Sequence, residues 1–372
     1  MIDYYSATSM IMIVLFSLTI CVTILYLLYP VWLILIASNN PFIENETEAI
    51  DHVSVILLSY NGQKYLKDKI DFLLKELSGF NQSELIIIDD DSTDGSQHVL
   101  NDFEENTRVT IIRNPEHSGI AYSMNLGVSH AKYQYLVFCD QRQELSMNIL
   151  KRIVEPLKNK NVGAVSGCIS PFDKEQKNSY IRRHENFLKQ KESKAGNLMG
   201  VYGPFYAIKK HCYCQIPNNI VLDDLYLSLK ILKSKQIELR GDCRIIDEDF
   251  SSLYDYKRTR RYLFGLLQIL KETTVINDLD NRQKTMLIWH KYLRLVIPAL
   301  LFLCYLSLGM ATIKGILFVV PFIIATMIGI LSILPLNLVL RFRFINLVRM
   351  NIFYFVAFID ILINNHEPTR TT

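Results

Sequence analysis

The chain has 372 residues, half of them hydrophobic and 21% charged, with a formal net charge of +3. That length accommodates one large domain plus apolar segments, and the near-balanced charge carries no basic footprint, so no nucleic-acid partner is expected. The seven cysteines are odd in number and scattered, which argues against a disulfide framework and for a reducing compartment. Cys212-Tyr213-Cys214 beside His211 has one intervening residue and no second pair, so it reads as buried thiols rather than a metal clip.

Residues 9–37 form a nearly unbroken apolar run without charge, long enough to cross the roughly 30 Å hydrocarbon layer. The run lacks a basic leader and is too long for a signal-peptide core, so it reads as an uncleaved anchor. No Lys or Arg precedes it and many follow. The positive-inside rule then puts the N-terminus outside and residue 50 onward in the cytosol, with Trp32 at an interfacial position.

After a polar linker at 38–51, VSVILL at 53–58 is a β-rich run stopped by Ser59-Tyr60-Asn61-Gly62. Residues 63–77 set Leu66, Ile70, Leu73, Leu74 and Leu77 at helical spacing. A second strand at 84–88 runs into Asp89-Asp90-Asp91-Ser92-Thr93-Asp94-Gly95. Helical period returns at Val99 and Leu100, and a third strand at 109–112 precedes Arg113-Asn114. This alternation predicts a parallel sheet with right-handed crossovers. Carboxylates crowded at one strand end repel each other unless a donor or a cation binds them. The same residues suit a helix N-cap with an acidic first turn, and the two readings are compatible.

Residues 119–127 open another helix with small residues, and YQYLVFCDQRQ at 133–143 ends a short buried strand in Asp140 and Arg142. Open parallel sheets bind ligands at that edge. A carboxylate there can hold a divalent cation beside phosphates; alternatively Asp140 only ends the strand and caps the helix near Met147.

In order, VSVILLSYNG, IIIDDDSTDGS, GIAYSMNLG and LVFCD resemble the family-2 glycosyltransferases, which are inverting enzymes. The resemblance implies an α/β fold of the GT-A (Rossmann-like) type with a mostly parallel sheet and a nucleotide sugar, a UDP-sugar, as donor. It implies that Ser59, Tyr60 and Asn61 lie along the nucleotide, that Asp90 hydrogen-bonds the base with Asp89 beside it, and that Asn125 belongs to the donor side. Asp140 would bind Mg2+ or Mn2+ on the diphosphate. The second Asp of the family's Asp-x-Asp is Arg142 here; a guanidinium cannot ligate a cation but binds phosphate bidentately. Ile120 stands where the family has a basic residue.

Downstream, 162–170 reads as a strand and 178–194 as a basic amphipathic helix. MGVYGPFYAIKK at 199–210 reads as a loop whose Gly203 and Tyr206 the resemblance sets on the acceptor side. Asp223 and Asp224 then precede Leu225, Leu229 and Leu232. Adjacent acids before an amphipathic run commonly cap a helix; the resemblance makes Asp224 the catalytic base and Asp223 its acceptor-side neighbour. DYKRTRRYLFG at 255–265 puts Arg258 and Arg261 on one helical face. They either contact the diphosphate or belong to a membrane-surface helix. The segment lacks the Gln and Trp of the processive members' motif, which favours single-sugar transfer.

From Lys291 the chain is apolar again. Residues 293–310 and 316–340 are each long enough to cross, with Trp289 at the entrance; Arg341, Arg343 and Arg349 follow, and 347–363 either crosses or lies at the interface. The expected organisation is an anchor at 1–38, a cytosolic catalytic domain at 39–275 including a basic interfacial helix near 255–270, and a transmembrane region of two or three helices at 291–364. This describes a multi-pass membrane glycosyltransferase acting on a lipid-linked or other membrane-associated acceptor. A processive polysaccharide synthase is one rival. An inactive nucleotide-binding scaffold, for which Arg142 and Ile120 speak, is another.

Overall fold

The computed structural model describes residues 2–37, 50–170, 180–246, 256–312 and 343–364, together with Ile323. The chain divides into a sheet unit, chiefly Leu33–Phe250 with Gln268–Gln283, and a helical unit of Met1–Trp32, Ser251–Leu267 and Lys284–Pro368.

In the sheet unit, β1 (His52–Ser59), α2 (Gln63–Leu77), β2 (Gln82–Asp89), α3 (Ser96–Asn101), β3 (Val109–Arg113), α4 (Ile120–His130) and β4 (Tyr135–Asp140) follow the expected alternation. Next come β5 (Glu144–Leu145), α5 (Ile149–Val154), β6 (Val162–Ile169), α6 (Tyr180–Lys194), β7 (Phe205–Lys209), α7 (Asp223–Leu232) and β8 (Gln236–Ile246). They build one eight-stranded sheet in the order β3-β2-β1-β4-β7-β6-β8-β5. β1, β2, β3, β4, β6 and β8 run one way, and β7 and β5 run the other. The segment expected to be a loop at 199–210 is therefore partly a strand. FYAIK is buried at every position, so it lacks the alternation that marks a half-exposed strand.

Register sets the working edge. Ser59 pairs with Asp89, Leu58 with Asp140, and Asp89 with Arg113, so four strands, β1 to β4, end almost level. β1 lies between β2 and β4, and the order reverses there, which opens a crevice at the strand C-termini. Val53, Val55 and Leu57 face the fully buried Leu66, Ile70, Leu73 and Leu77 of α2 in one core. Ile56 points to the other side, where α4 passes so closely that a Cβ at Gly127 would lie 2.6 Å from Ile56 Cγ2. Across the same unit, Glu76 of α2 accepts from the backbone N–H of Asn148 at 2.7 Å and satisfies the start of α5. Asp140 is not that helix's cap.

The helical unit contains α1 (Ile2–Ile36) as far as Trp32, the first part of α8 (Tyr256–Lys271), α11 (Leu293–Thr312) and α12 (Arg343–Asn364). Two short helices, α9 (Thr273–Asn277) and α10 (Asn281–Leu287), precede a π-turn at Ile288–Tyr292. The Trp32 and Trp289 rings meet at 5.5 Å, with Tyr29 against Trp289 at 5.6 Å. On α8, Tyr256 Oη donates to Asp360 of α12 at 2.9 Å and Arg260 pairs with the same carboxylate. Arg258 is exposed and Arg261 half-buried on this helix. The basic helix is divided, its residues to Leu267 grouping with the helical unit and those from Gln268 with the sheet unit. Among the described residues one helical stretch, Phe16–Ile36, is long and apolar enough to cross a membrane, or two if the bent pair Asn281–Tyr292 and Leu295–Leu306 is one span. The expected span at 316–340 and Arg341 lie outside the described residues, apart from Ile323.

Replacing Gly127 by Ala forces its new methyl into Ile56 and is expected to cost about 1–3 kcal/mol. Chemical unfolding followed by circular dichroism should show a lower midpoint, and an unchanged midpoint would mean that Ile56 yields without cost.

Candidate active site

The loop after β1 is held by the loop after β2. Asn61, at a left-handed φ of 45°, donates its backbone N–H to Ser92 Oγ at 2.9 Å, and its Oδ1 accepts from Thr93 N at 2.8 Å. Gln63 N donates to Asp94 Oδ2 at 3.0 Å. The Asp-Ser-Thr-Asp run thus starts α3 and fixes the first loop at once. Across the β1–β4 crevice, Ser59 Oγ donates to Gln141 Oε1 at 2.9 Å and Gln141 Nε2 donates to the Tyr60 carbonyl at 2.8 Å. The amide packs on Gly62, where a Cβ would lie 2.0 Å from Gln141 Oε1, so no other residue fits without displacing the clasp.

Asp90 is the hub of the third loop. Its Oδ1 accepts from Asn114 Nδ2 at 2.6 Å and from Ser118 N at 2.8 Å. Its Oδ2 accepts from Gly119 N at 2.7 Å and meets His117 Nδ1 at 2.9 Å. The His117 ring is stacked on Tyr60, centroids 4.1 Å apart and planes at 30°.

On the other side of β4, the antiparallel β7 pairs Phe205 with Cys139, and Asp140 N donates to the Pro204 carbonyl at 3.0 Å. That delivers Gly203 to the crevice. A Cβ on Gly203 would sit 3.2 Å from Asp224 Oδ2, so the turn lies directly on that carboxylate. Ser228 Oγ, which donates to the Asp224 carbonyl at 2.6 Å, accepts from Val201 N at 3.1 Å and fastens the turn to α7. Beneath it Tyr206 is buried and stacked on Phe138 at 4.9 Å. Burial pushes the Tyr206 phenol well above its ordinary pKa, and the negative charges of Asp223, Asp224 and Asp140 add to the shift.

Residues 54–213 match the model of glycosyl transferase family 2. The chain carries a family-2 glycosyltransferase domain. Similar proteins include glycosyltransferase GlyG of Streptococcus pneumoniae serotype 4, 28% identical over 130 residues that make up 35% of this chain and 42% of that one. Poly-beta-1,6-N-acetyl-D-glucosamine synthase of Staphylococcus epidermidis is 23% identical over 203 residues, 52% of this chain and 49% of that one. The putative teichuronic acid biosynthesis glycosyltransferase TuaG of Bacillus subtilis is 32% identical over 104 residues, 28% of this chain and 40% of that one. The chain therefore spans less than half the length of these relatives. Among solved structures, mannosyltransferase PcManGT of Pyrobaculum calidifontis, determined with GDP-Man and Mn2+, shares the fold with a TM-score of 0.78 and 19% identity, covering 95% of this chain and 99% of that one.

Within the family-2 domain, Ser59, Tyr60, Asn61, Asp90, Asp140 and Gly203 gather at the sheet's C-terminal edge, with Asp223 and Asp224 opening α7 alongside. Two expectations need correction. Asp89 does not face the crevice: it is fully enclosed, Oδ1 accepting from Ser92 Oγ and Oδ2 having no hydrogen-bond partner. Asn125 is a peg for the chain at 213–216, its Oδ1 accepting from Tyr213 Oη at 2.8 Å and Ile216 N at 3.0 Å while its Nδ2 donates to the Ile216 carbonyl at 2.8 Å. Arg258 and Arg261 belong to the helical unit. Gln141, His117 and Asn114 were not anticipated. Their contacts join separate loops, and no periodicity in sequence announces them.

A cation at this edge would have Asp140 as its protein carboxylate. Gln141 is turned into its clasp, Arg142 is exposed beside it, and no group of three His, Cys, Asp or Glu side chains among the described residues is arranged around a metal position. The donor set fits a cation shared with ligand oxygens and water rather than one caged by protein.

Burial raises the pKa of Asp89 above its ordinary 3.8, against the opposing hydrogen bond from Ser92. A raised folded-state value means stability that is full below the unfolded pKa and is lost as the pH rises through the folded one. Asp89→Asn should therefore gain in unfolding midpoint relative to wild type as pH rises from about 4 to about 7; a difference independent of pH would show that Asp89 ionises freely.

Proposed function

We propose that the chain is an inverting glycosyltransferase that moves a sugar from a nucleotide sugar, a UDP-sugar, to a membrane-associated acceptor such as a lipid-linked saccharide. The observation that carries this reading is that the Gly203–Pro204 turn meets both Asp140, through its backbone N–H, and Asp224, through its carboxylate, at the crevice edge of a family-2 domain. Direct displacement at an anomeric carbon needs a base on the acceptor face and charge neutralisation on the leaving-group face. Asp224 takes the proton from the acceptor hydroxyl as its oxygen bonds to the anomeric carbon, and the bond to the nucleoside diphosphate breaks on the opposite side. Asp223 orients the acceptor. Asp140 would hold a divalent cation, Mg2+ or Mn2+, that screens the charge of the departing diphosphate, and Arg142 binds the diphosphate oxygens through its guanidinium.

An apolar helix of membrane length supports placing the acceptor at a membrane. Phe16–Ile36 is a membrane-length apolar helix, and a cytosolic catalytic domain tethered by it meets lipid-borne acceptors at the bilayer. Basic Arg258 and Arg261 on α8 serve that surface. Single transfer is favoured over polymerisation because the basic segment lacks the Gln and Trp of processive members.

Asp224→Asn should lower transfer by about 10²–10⁴-fold while leaving nucleotide binding measurable by calorimetry. An unchanged rate would remove Asp224 as the base. A screen of nucleotide sugars by thermal shift would identify the donor by the stabilisation that specific binding confers.

A further inference from the structure

The carboxylate of Asp90 has about four lone-pair directions, and all are used. Asn114 Nδ2, Ser118 N and Gly119 N take three of them. Two of these donors are backbone amides at the entrance to α4, and Asn114 is itself buried and also bonded to Ser123 Oγ at 3.1 Å. The fourth partner differs in kind. His117 is a side chain about 35% exposed, on a loop, held by one ring N–H that lies 2.9 Å from Oδ2 and 3.3 Å from the Asp90 carbonyl and by one aromatic face, that of Tyr60 at 4.1 Å. A flat ring lying on Tyr60 and giving a ring N–H to a buried carboxylate makes the contacts that a nucleobase would make in the same place.

We propose that the His117 imidazole is a stand-in for the nucleobase: it occupies the base subsite formed by Tyr60 and Asp90 Oδ2, and a donor nucleotide must displace it to bind. This inference rests on the nucleotide-sugar reading and adds the residue that gates it. Two consequences follow from the chemistry. A base with a ring N–H, such as the uracil imide or guanine N1–H, replaces the imidazole N–H at Oδ2 from the same ring position. Cytosine and adenine present a ring acceptor at the corresponding position and would leave two acceptors facing each other. The self-occupied form cannot bind, so the apparent dissociation constant is raised by the inverse of the fraction in which His117 is out. The other contacts of Asp90 stay made in both states, which lets the subsite open without unravelling the loop.

The test is calorimetric titration of the full-length protein in detergent with UDP, GDP, CDP and ADP, for wild type, His117→Ala and His117→Phe. Removing the imidazole should tighten UDP or GDP binding by about 3- to 10-fold, and CDP and ADP should remain weak in all three proteins. His117→Phe keeps a ring on Tyr60 but offers no N–H, so its affinity should fall between the other two; it also stands in for His117→Ala should that variant fold poorly. UDP or GDP binding equal to or weaker than wild type in both variants would overturn the stand-in and leave the glycosyltransferase reading in place. Failure of every nucleotide to bind any of the three proteins would overturn both.

Discussion

One backbone pairing organises the rest of the sheet unit: the antiparallel seating of β7 against β4, closed at its upper end by Asp140 N donating to the Pro204 carbonyl. Because β7 runs against its neighbour, the chain preceding Phe205 emerges at the edge where β1, β2 and β4 end. A parallel strand in that place would begin at the opposite edge and leave the crevice without its Gly203 wall. The approach of Gly203 to Asp224 then brings the start of α7 to the end of β4. Two acidic positions more than 80 residues apart in sequence are joined through a turn that contains neither.

The opposite wall is made of hydrogen bonds between loops rather than of apolar packing. Ser59, Asn61, Gln141, Ser92, Asp94 and Asp90 each bridge separate segments. Buried polar groups of this kind add stability only when satisfied, and an orphan costs about 1–3 kcal/mol. Most are satisfied here. The unpartnered Asp89 Oδ2 and Asn114 Oδ1 fall at adjoining strand ends, next to the Asp90 hub. A crevice wall built this way keeps its shape without a ligand yet retains polar groups for one.

The parts of the molecule that follow a period were legible from the residues. Leu66, Ile70, Leu73 and Leu77 at helical spacing give α2 the bounds expected of it, and the β-rich runs VSVILL and ELIII lie within β1 and β2. The clustering of acids at strand ends was equally visible, since a strand that stops in Asp must stop at an edge. β7 escaped because a strand buried on both faces has no alternation, and its glycine and aromatic neighbours resemble a loop. Spacing cannot tell which of two consecutive carboxylates turns inward; β2 buries its last residue, Asp89, and leaves Asp90 for the loop. His117 carried no signal, since its significance comes from a stack on Tyr60 and a contact with Asp90, both remote in sequence.

The central claim is that a single crevice receives the leaving diphosphate at Asp140 and the acceptor at Asp224. The most direct measurement is a cryo-electron-microscopy structure of the full-length protein with UDP and Mn2+. The account predicts diphosphate density beside Asp140 and Arg142, with the Asp224 carboxylate facing the open space beyond the terminal phosphate. Nucleotide density elsewhere on the sheet unit, or an Asp224 turned away from the bound diphosphate, would contradict it.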